Sequence, residues 1–150
     1  MQVTLSINGK QYTRLIEPDM TLYSFVRDCG CYSVKCGCET TNCGLCTVWM
    51  DGMPVLSCSV LAVRAEGHEI TTLEGVLEEA KVFTDFLTAE GAEQCGFCSP
   101  GFIMNVLAMK RELDHPTEDE IRRYLSGNLC RCTGYMGQMR AIRNYMEVEA

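Results

Sequence analysis

The 150-residue chain has no apolar run approaching the roughly eighteen residues of a membrane span, so no transmembrane helix and no membrane role are expected. Its opening stretch, Met1-Gln2-Val3-Thr4-Leu5-Ser6-Ile7, lacks the basic and apolar regions of a secretory leader. That points to a reducing cytoplasmic compartment. Basic residues are in the minority, 13 Lys+Arg against 20 Asp+Glu for a net charge of −7, which speaks against nucleic-acid binding driven by phosphate attraction. The acidic excess is not a tail: residues 1–75 hold five basic and eight acidic groups, residues 76–150 eight and twelve. There is no G-x-S-x-G, no phosphate-cradling glycine loop and no convincing dinucleotide fingerprint, so no hydrolytic or group-transfer site is expected. With 47% hydrophobic and 22% charged residues the chain is not of disordered composition. Cysteine is what it has in excess, eleven in all.

Hydrophobic patterning divides the chain in two. Val3, Leu5 and Ile7 alternate with polar residues, Asn8-Gly9 suits a hairpin turn, and Tyr12 continues the return strand, predicting a hairpin over residues 3–14. Leu22, Phe25 and Val26 have helical spacing, with Gly30 as a stop. A cysteine- and glycine-rich loop spans residues 36–46. Thr47 to Met50 reads as a strand, Asp51-Gly52 as a turn, and Val55 to Val63 as a further strand. This half is a small α+β sheet domain. Beyond Thr72 the pattern is helical. Helices are predicted from Val76 to Ala89, from Phe102 to Leu113 behind an N-cap at Ser99 and Pro100, after the capping box of Thr117 and Glu120, and from Tyr135 to Val148 with Met139, Ile142 and Met146 on one face. Four helices with short connections read as a small bundle. The boundary falls in the polar stretch near residues 66–76, giving domains of 1–75 and 76–150.

Eight of the cysteines form two sets, one per half. Cys38-x4-Cys43-x2-Cys46, with Cys58 further on, has the spacing of a plant-type [2Fe-2S] loop. Three thiolates from one loop must converge while the backbone wraps closely, and Gly37 and Gly44 sit where the wrap is tight. Cys58 would close the site from the next strand. The second set is Cys95-x2-Cys98 and Cys130-x-Cys132, two pairs at adjoining helix ends. In a reducing compartment such spacings favour metal ligation over a disulfide framework. Spacing alone leaves two structural zinc sites open, the second set more so than the first, although C-x-C is less usual for zinc. A thiol-disulfide enzyme fits poorly, because neither C-x2-C follows a strand as that chemistry requires.

The segments Lys35-Cys36-Gly37-Cys38 to Cys43-Gly44-Leu45-Cys46-Thr47-Val48, Gln94-Cys95-Gly96-Phe97-Cys98-Ser99-Pro100-Gly101 and Gly127-Asn128-Leu129-Cys130-Arg131-Cys132-Thr133-Gly134-Tyr135 resemble the small iron–sulfur subunit of the molybdenum hydroxylases, the family of xanthine dehydrogenase, aldehyde oxidoreductase and carbon monoxide dehydrogenase. The resemblance covers nearly the whole chain in order. It implies an N-terminal β-grasp domain of plant-ferredoxin type, with one [2Fe-2S] cluster on Cys38, Cys43, Cys46 and Cys58. A C-terminal four-helix bundle would carry a second on Cys95, Cys98, Cys130 and Cys132. The family further implies a molybdopterin-binding large subunit, contacted by Gln94 and approached by Cys132, and an FAD-binding medium subunit that receives the electrons. The complex would be a xanthine, purine or other N-heterocycle dehydrogenase. A zinc-stabilised adaptor or a stand-alone ferredoxin are the alternatives.

Two departures stand out. Glu39-Thr40-Thr41-Asn42 occupies a loop where many members carry glycines, and Gln138 stands where an aliphatic residue is usual. Cys29, Cys31 and Cys36 are additional; the first two read as buried free thiols. His68 and His115 lie in polar loop contexts and read as solvated. Trp49 reads as a core strand residue, Arg131 equally as a counter-charge to cluster thiolates or a surface residue, and the methionines at 104, 109, 136, 139 and 146 as core fill, some of them available to partners.

Overall fold

A computed structural model describes residues 1–148; the last two residues of the expected second domain lie outside the described residues. The chain begins with β1 (Gln2–Ile7) and β2 (Lys10–Leu15), joined through Asn8 and Gly9, both with positive φ as a tight hairpin demands. Val3, Leu5 and Ile7 are the buried face of β1. The next element, α1 (Leu22–Asp28), starts where the Thr21 hydroxyl accepts the Ser24 N–H, and buries Leu22, Phe25 and Val26. Then follow β3 (Thr47–Met50), β4 (Met53–Leu56) and β5 (Glu69–Thr71). Together the strands form one mixed sheet ordered β2-β1-β5-β3-β4, in which β1 and β5 run parallel and the other neighbours antiparallel.

The sequence patterning missed β5. It lies inside the polar stretch assigned to a boundary, and its single buried apolar residue, Ile70, gives no period to read. Yet β5 joins the two hairpins, pairing with Ser6 and Ile7 on one side and Trp49 and Met50 on the other. The strand expected from Val55 to Val63 is also corrected. Pairing ends at Leu56, and the chain coils into 3-10 turns at Ser57–Ser59 and Ala62–Ala65. The cause lies in distant partners: the Ser57 N–H and hydroxyl both turn back to the Cys46 carbonyl, while Leu22 and Ala62 N–H groups bond Val60 and Met20 carbonyls.

Four further helices are described: α2 (Leu77–Ala89), α3 (Ser99–Glu112), α4 (Glu118–Tyr124) and α5 (Met136–Met146). The expected capping box is present at the start of α4. At α3 the expectation shifts by one residue. Cys98 has helical dihedrals and its carbonyl accepts from Phe102, so Cys98 is the cap and Ser99 lies inside the helix. On α5 the buried stripe is Gln138, Ala141, Ile142 and Tyr145, with Met139 and Met146 of the expected face half-buried against the same core; Met136 is exposed. Met104 and Met109 are core residues as expected.

Two apolar cores result. One gathers the sheet and α1, the other α2 to α5. They meet at β3, because alternation sends neighbouring side chains to opposite faces. Val48 enters the sheet core, and Trp49 enters the helical one. Its indole N–H donates to the Met104 carbonyl on α3 at 3.0 Å, and the Arg111 guanidinium lies 3.7 Å from the ring centroid. Beside it the backbones touch. Gly44, at φ +75, has no room for a Cβ, which would fall 2.3 Å from the Gly127 carbonyl; a Cβ on Gly101 would fall 2.2 Å from the Gly44 carbonyl. Glycine permits this approach.

Gly101→Ala is therefore expected to force the seam apart at a cost of about 1–3 kcal/mol, the range of core overpacking. Gly127→Ala, whose Cβ would meet nothing within 4 Å, is the control and should leave the melting temperature within a degree or so of the parent, since surface changes of that kind stay within about 0.5 kcal/mol. Thermal unfolding of both variants checks the difference. Equal melting temperatures would show that the seam yields freely.

Candidate metal centres

The first cysteine loop is held from both sides. The Lys35 N–H bonds the Leu45 carbonyl, and the Thr47 N–H and hydroxyl both return to the Gly44 carbonyl. Gly37 sits against the turn; a Cβ there would lie 2.8 Å from Leu45 Cδ2 and 3.5 Å from Cys43 Sγ. The glycine-poor stretch after Cys38 resolves with Thr41 at φ +55, a conformation that a β-branched residue adopts only at a cost of about 1–2 kcal/mol. Gly44 is tight as expected, but the crowding comes from the helical half rather than from the cysteines.

Within the loop the thiols come together in twos. Cys46 and Cys58 place their Sγ atoms 3.3 Å apart, Cys58 now on a 3-10 turn rather than a strand. Cys38 and Cys43 are in side-chain contact. The second set repeats the arrangement. Cys95 and Cys132 Sγ atoms lie 3.5 Å apart, and Cys98 faces Cys130. Among the described residues no three cysteines, histidines or carboxylates converge on one point as ligands of a single ion. A pairwise pattern suits a bridged di-iron unit, in which each iron takes two thiolates. Two thiolates on one tetrahedral metal at about 2.3 Å stand roughly 3.8 Å apart, so the Cys46–Cys58 and Cys95–Cys132 pairs need to open by only a few tenths of an ångström. Both sets therefore fit a [2Fe-2S] group.

The loops also supply donors for sulfur. N–H groups of Asn42 and Thr40 lower the Cys38 thiol to about 6. Cys95 is lowered by the Phe97 N–H and by the neighbouring Cys132 thiol. Burial pushes Cys130 up, but the hydroxyl and N–H of Thr133, on its sulfur at 3.1 and 3.4 Å, more than offset this. In contrast, burial and the proton shared with their partners push Cys58 and Cys98 up to about 12. Each quartet thus contains a thiol that is easier to ionise than usual and a deeper one that must surrender its proton to a metal, so loading should strengthen as pH rises.

Six of the eight thiols line one cleft of about 530 Å³. Cys38 and Cys43 line it from the first loop, and Cys95, Cys98, Cys130 and Cys132 from the second; Cys46 and Cys58 pair outside it. Across the cleft the Leu129 N–H donates to the Cys43 carbonyl at 2.9 Å, which ties the residue beside Cys130 to a cysteine of the other set. Asn128, nearly buried, accepts from the Asn105 amide at 2.5 Å and reaches the Gly44 and Gly101 carbonyls at 3.5 and 3.4 Å. Sequence reading assigned Asn128 no role; its place between a glycine and an apolar residue ahead of Cys130 was the available signal. Gln94, Cys95, Arg131 and Cys132 are exposed, as are Phe97, Leu129, Tyr135 and Met136 around them. Cys31 is buried and Cys29 half-buried, both with thiols raised by burial, and Cys36 is exposed with its sulfur on the Cys38 carbonyl. His68 bonds Asp51 at 2.5 Å in the exposed turn region, away from either set.

A [2Fe-2S] binding domain family matches residues 72–143, the stretch that carries the second cysteine set. The chain is 41% identical over 148 residues to the nicotinate dehydrogenase small FeS subunit of Eubacterium barkeri, covering 97% of this chain and 94% of that one. The chain belongs to the small iron–sulfur subunits of the molybdenum hydroxylases. Its likeness to the xanthine dehydrogenase iron-sulfur-binding subunit of Escherichia coli O157:H7 is 45% over 137 residues, covering 89% and 86% of the two chains. The solved structure of quinoline 2-oxidoreductase from Pseudomonas putida 86 superposes with a TM-score of 0.88 at 40% identity, over 97% of this chain and 92% of that one. As such a subunit it transfers electrons within an oxidoreductase complex and is not itself the catalytic chain. No described helix is long and apolar enough to cross a membrane.

The thiol chemistry gives a direct check on the metal-free chain. A thiol lowered to about 6 is mostly thiolate, the reactive form, at pH 7, so alkylation of Cys38 should rise through pH 6 and level off by pH 8. Cys58 and Cys98 should stay unmodified until strongly alkaline pH or unfolding. Peptide mapping after iodoacetamide pulses across pH reads both. A Cys38 rate still climbing above pH 8 would contradict the N–H contacts described.

Proposed function

We propose that the chain relays electrons through two [2Fe-2S] centres, one held by Cys38, Cys43, Cys46 and Cys58 and the other by Cys95, Cys98, Cys130 and Cys132. The observation that carries this is the two-plus-two pairing of thiols in both quartets, with one pair of the first and both pairs of the second on the walls of one cleft. A match to a [2Fe-2S] binding family over the second set favours iron there over the structural zinc that spacing leaves open. Each centre, when bound, supplies a one-electron site whose potential follows its hydrogen bonds and exposure. The chain's own part is to hold the sites close, donate N–H groups to sulfur, and bridge them by the Leu129 to Cys43 hydrogen bond.

The sheet half, residues 1–75, fits a β-grasp domain of ferredoxin type, and residues 76–150 a four-helix bundle. Electrons enter at the second centre from a molybdopterin-binding large subunit. Support comes from the exposed rim of Phe97, Leu129, Tyr135 and Met136 around Cys95 and Cys132, apolar area that a partner would cover. Gln94, exposed beside Cys95, reaches the pterin, and Cys132 is the ligand nearest it. From the first centre electrons pass to an FAD-binding medium subunit. Nicotinate, xanthine and quinoline, which name the relatives above, favour an N-heterocyclic substrate oxidised in a cytoplasmic complex.

Anaerobically isolated protein is expected to be red-brown, with about four irons and four labile sulfides per chain and two EPR signals after dithionite. Cys132→Ser should remove one signal and slow reduction of the other by substrate, while Cys29→Ser should keep both. A colourless preparation carrying zinc would overturn the reading.

A further inference from the structure

The buried stripe of α5 contains one residue that an apolar core does not accommodate well. Gln138 is 4% exposed, its neighbours on the stripe are Ala141, Ile142 and Tyr145, and its Oε1 is buried without a hydrogen-bond partner. Buried amides left short of a partner are uncommon, because water once satisfied them and nothing replaces it. On one side its surroundings are the thiols of the second set. Gln138 lines a small, partly open cavity of about 10 Å³ whose wall contains Cys95, Cys98, Cys130 and Cys132 together with Thr133. Thr133 is already committed, both its donors resting on Cys130 Sγ. Thiolate and sulfide sulfurs are acceptors only, and a carboxamide carries two N–H donors. Rotation about the last torsion exchanges its oxygen and nitrogen with little change in shape.

We propose that Gln138 donates a carboxamide N–H to a sulfur of the second [2Fe-2S] centre and thereby raises the reduction potential of that centre. The proposal rests on the reading that Cys95, Cys98, Cys130 and Cys132 hold such a centre. An N–H aimed at sulfur favours the state with the extra negative charge, and a charged acceptor strengthens the bond. The amide does not titrate, so its effect is constant across neutral pH. Gln138 acts as a positioning and tuning residue on the electron path rather than as a ligand.

The test is an EPR-monitored redox titration of the complete complex carrying Gln138→Leu or Gln138→Met, which keep the bulk and remove the donor. The signal that Cys132→Ser abolishes is expected to shift to lower potential by about tenfold in its one-electron equilibrium constant, or 59 mV. The other signal should stay in place. In the parent complex, labelling glutamine amides with ¹⁵N should add a hyperfine coupling to the reduced second centre, absent from both variants. Unmoved potentials in both variants, or movement of the other signal alone, would overturn the proposal. Should either variant fail to load, Gln138→Asn retains the donor one methylene short and is expected to move the same signal the same way by less. Absence of that signal from the unsubstituted complex would instead remove the cluster reading itself, so the two failures are distinguishable.

Discussion

Everything functional in this chain depends on a backbone seam where side chains are excluded. Gly44 follows a cysteine of the first loop, Gly101 lies in the first turn of α3, and the Gly127-Asn128-Leu129 segment leads into Cys130. Their carbonyls and amides meet at distances that a single methyl group would break. With the seam closed, the Leu129 N–H reaches the Cys43 carbonyl and six of the eight thiols line one cleft. With it open, each half would keep its own core and lose its neighbour. Trp49 has the matching role in apolar terms: a strand residue that spends its ring and its N–H on the helical core. Such a ring buries enough area to be worth on the order of 2–3 kcal/mol, more than a typical surface contact. A scaffold for electron transfer has to fix distance, and here backbone contact and a buried indole fix it together.

The thiols are graded as well as grouped. Loop N–H groups meet the outward sulfurs of Cys38 and Cys95, while Cys58 and Cys98 lie where burial penalises the anion. The same N–H groups that lower an exposed thiol in the metal-free chain are those that would bond to sulfur once iron is present. One local geometry therefore serves two ends: it prepares a thiolate to capture metal and afterwards favours the reduced centre.

Much of this was legible in the sequence, for reasons that differ by element. The first hairpin, α1 and the capping box of α4 carry dense local signals, and local chemistry decides them. Cysteine spacing marked both quartets, because loop-borne ligands must recur at short intervals. What escaped depended on distant partners. β5 is three residues long and owes its existence to β1 and β3 on either side. The turn at Cys58 follows from hydrogen bonds of Ser57 to Cys46, eleven residues earlier. Gln138 looked like an odd choice for packing; its place beside a small cavity lined by four thiols becomes visible only in the fold. The pairing within each quartet was equally invisible, since spacing says which thiols are near and not which face each other.

The remaining cysteines sharpen the distinction between having a thiol and having a site. Cys29 and Cys31 lie in or against the sheet core with burial raising both, and neither meets an N–H array or a second thiol pair. Cys36 is near the first loop, but its sulfur turns to the Cys38 carbonyl, an acceptor, rather than to another thiol. The eight thiols proposed as ligands share two features: a partner thiol within reach, and a backbone donor or a buried wall behind it. Proximity supplies only the first, so spacing alone does not separate those eight from Cys29, Cys31 and Cys36.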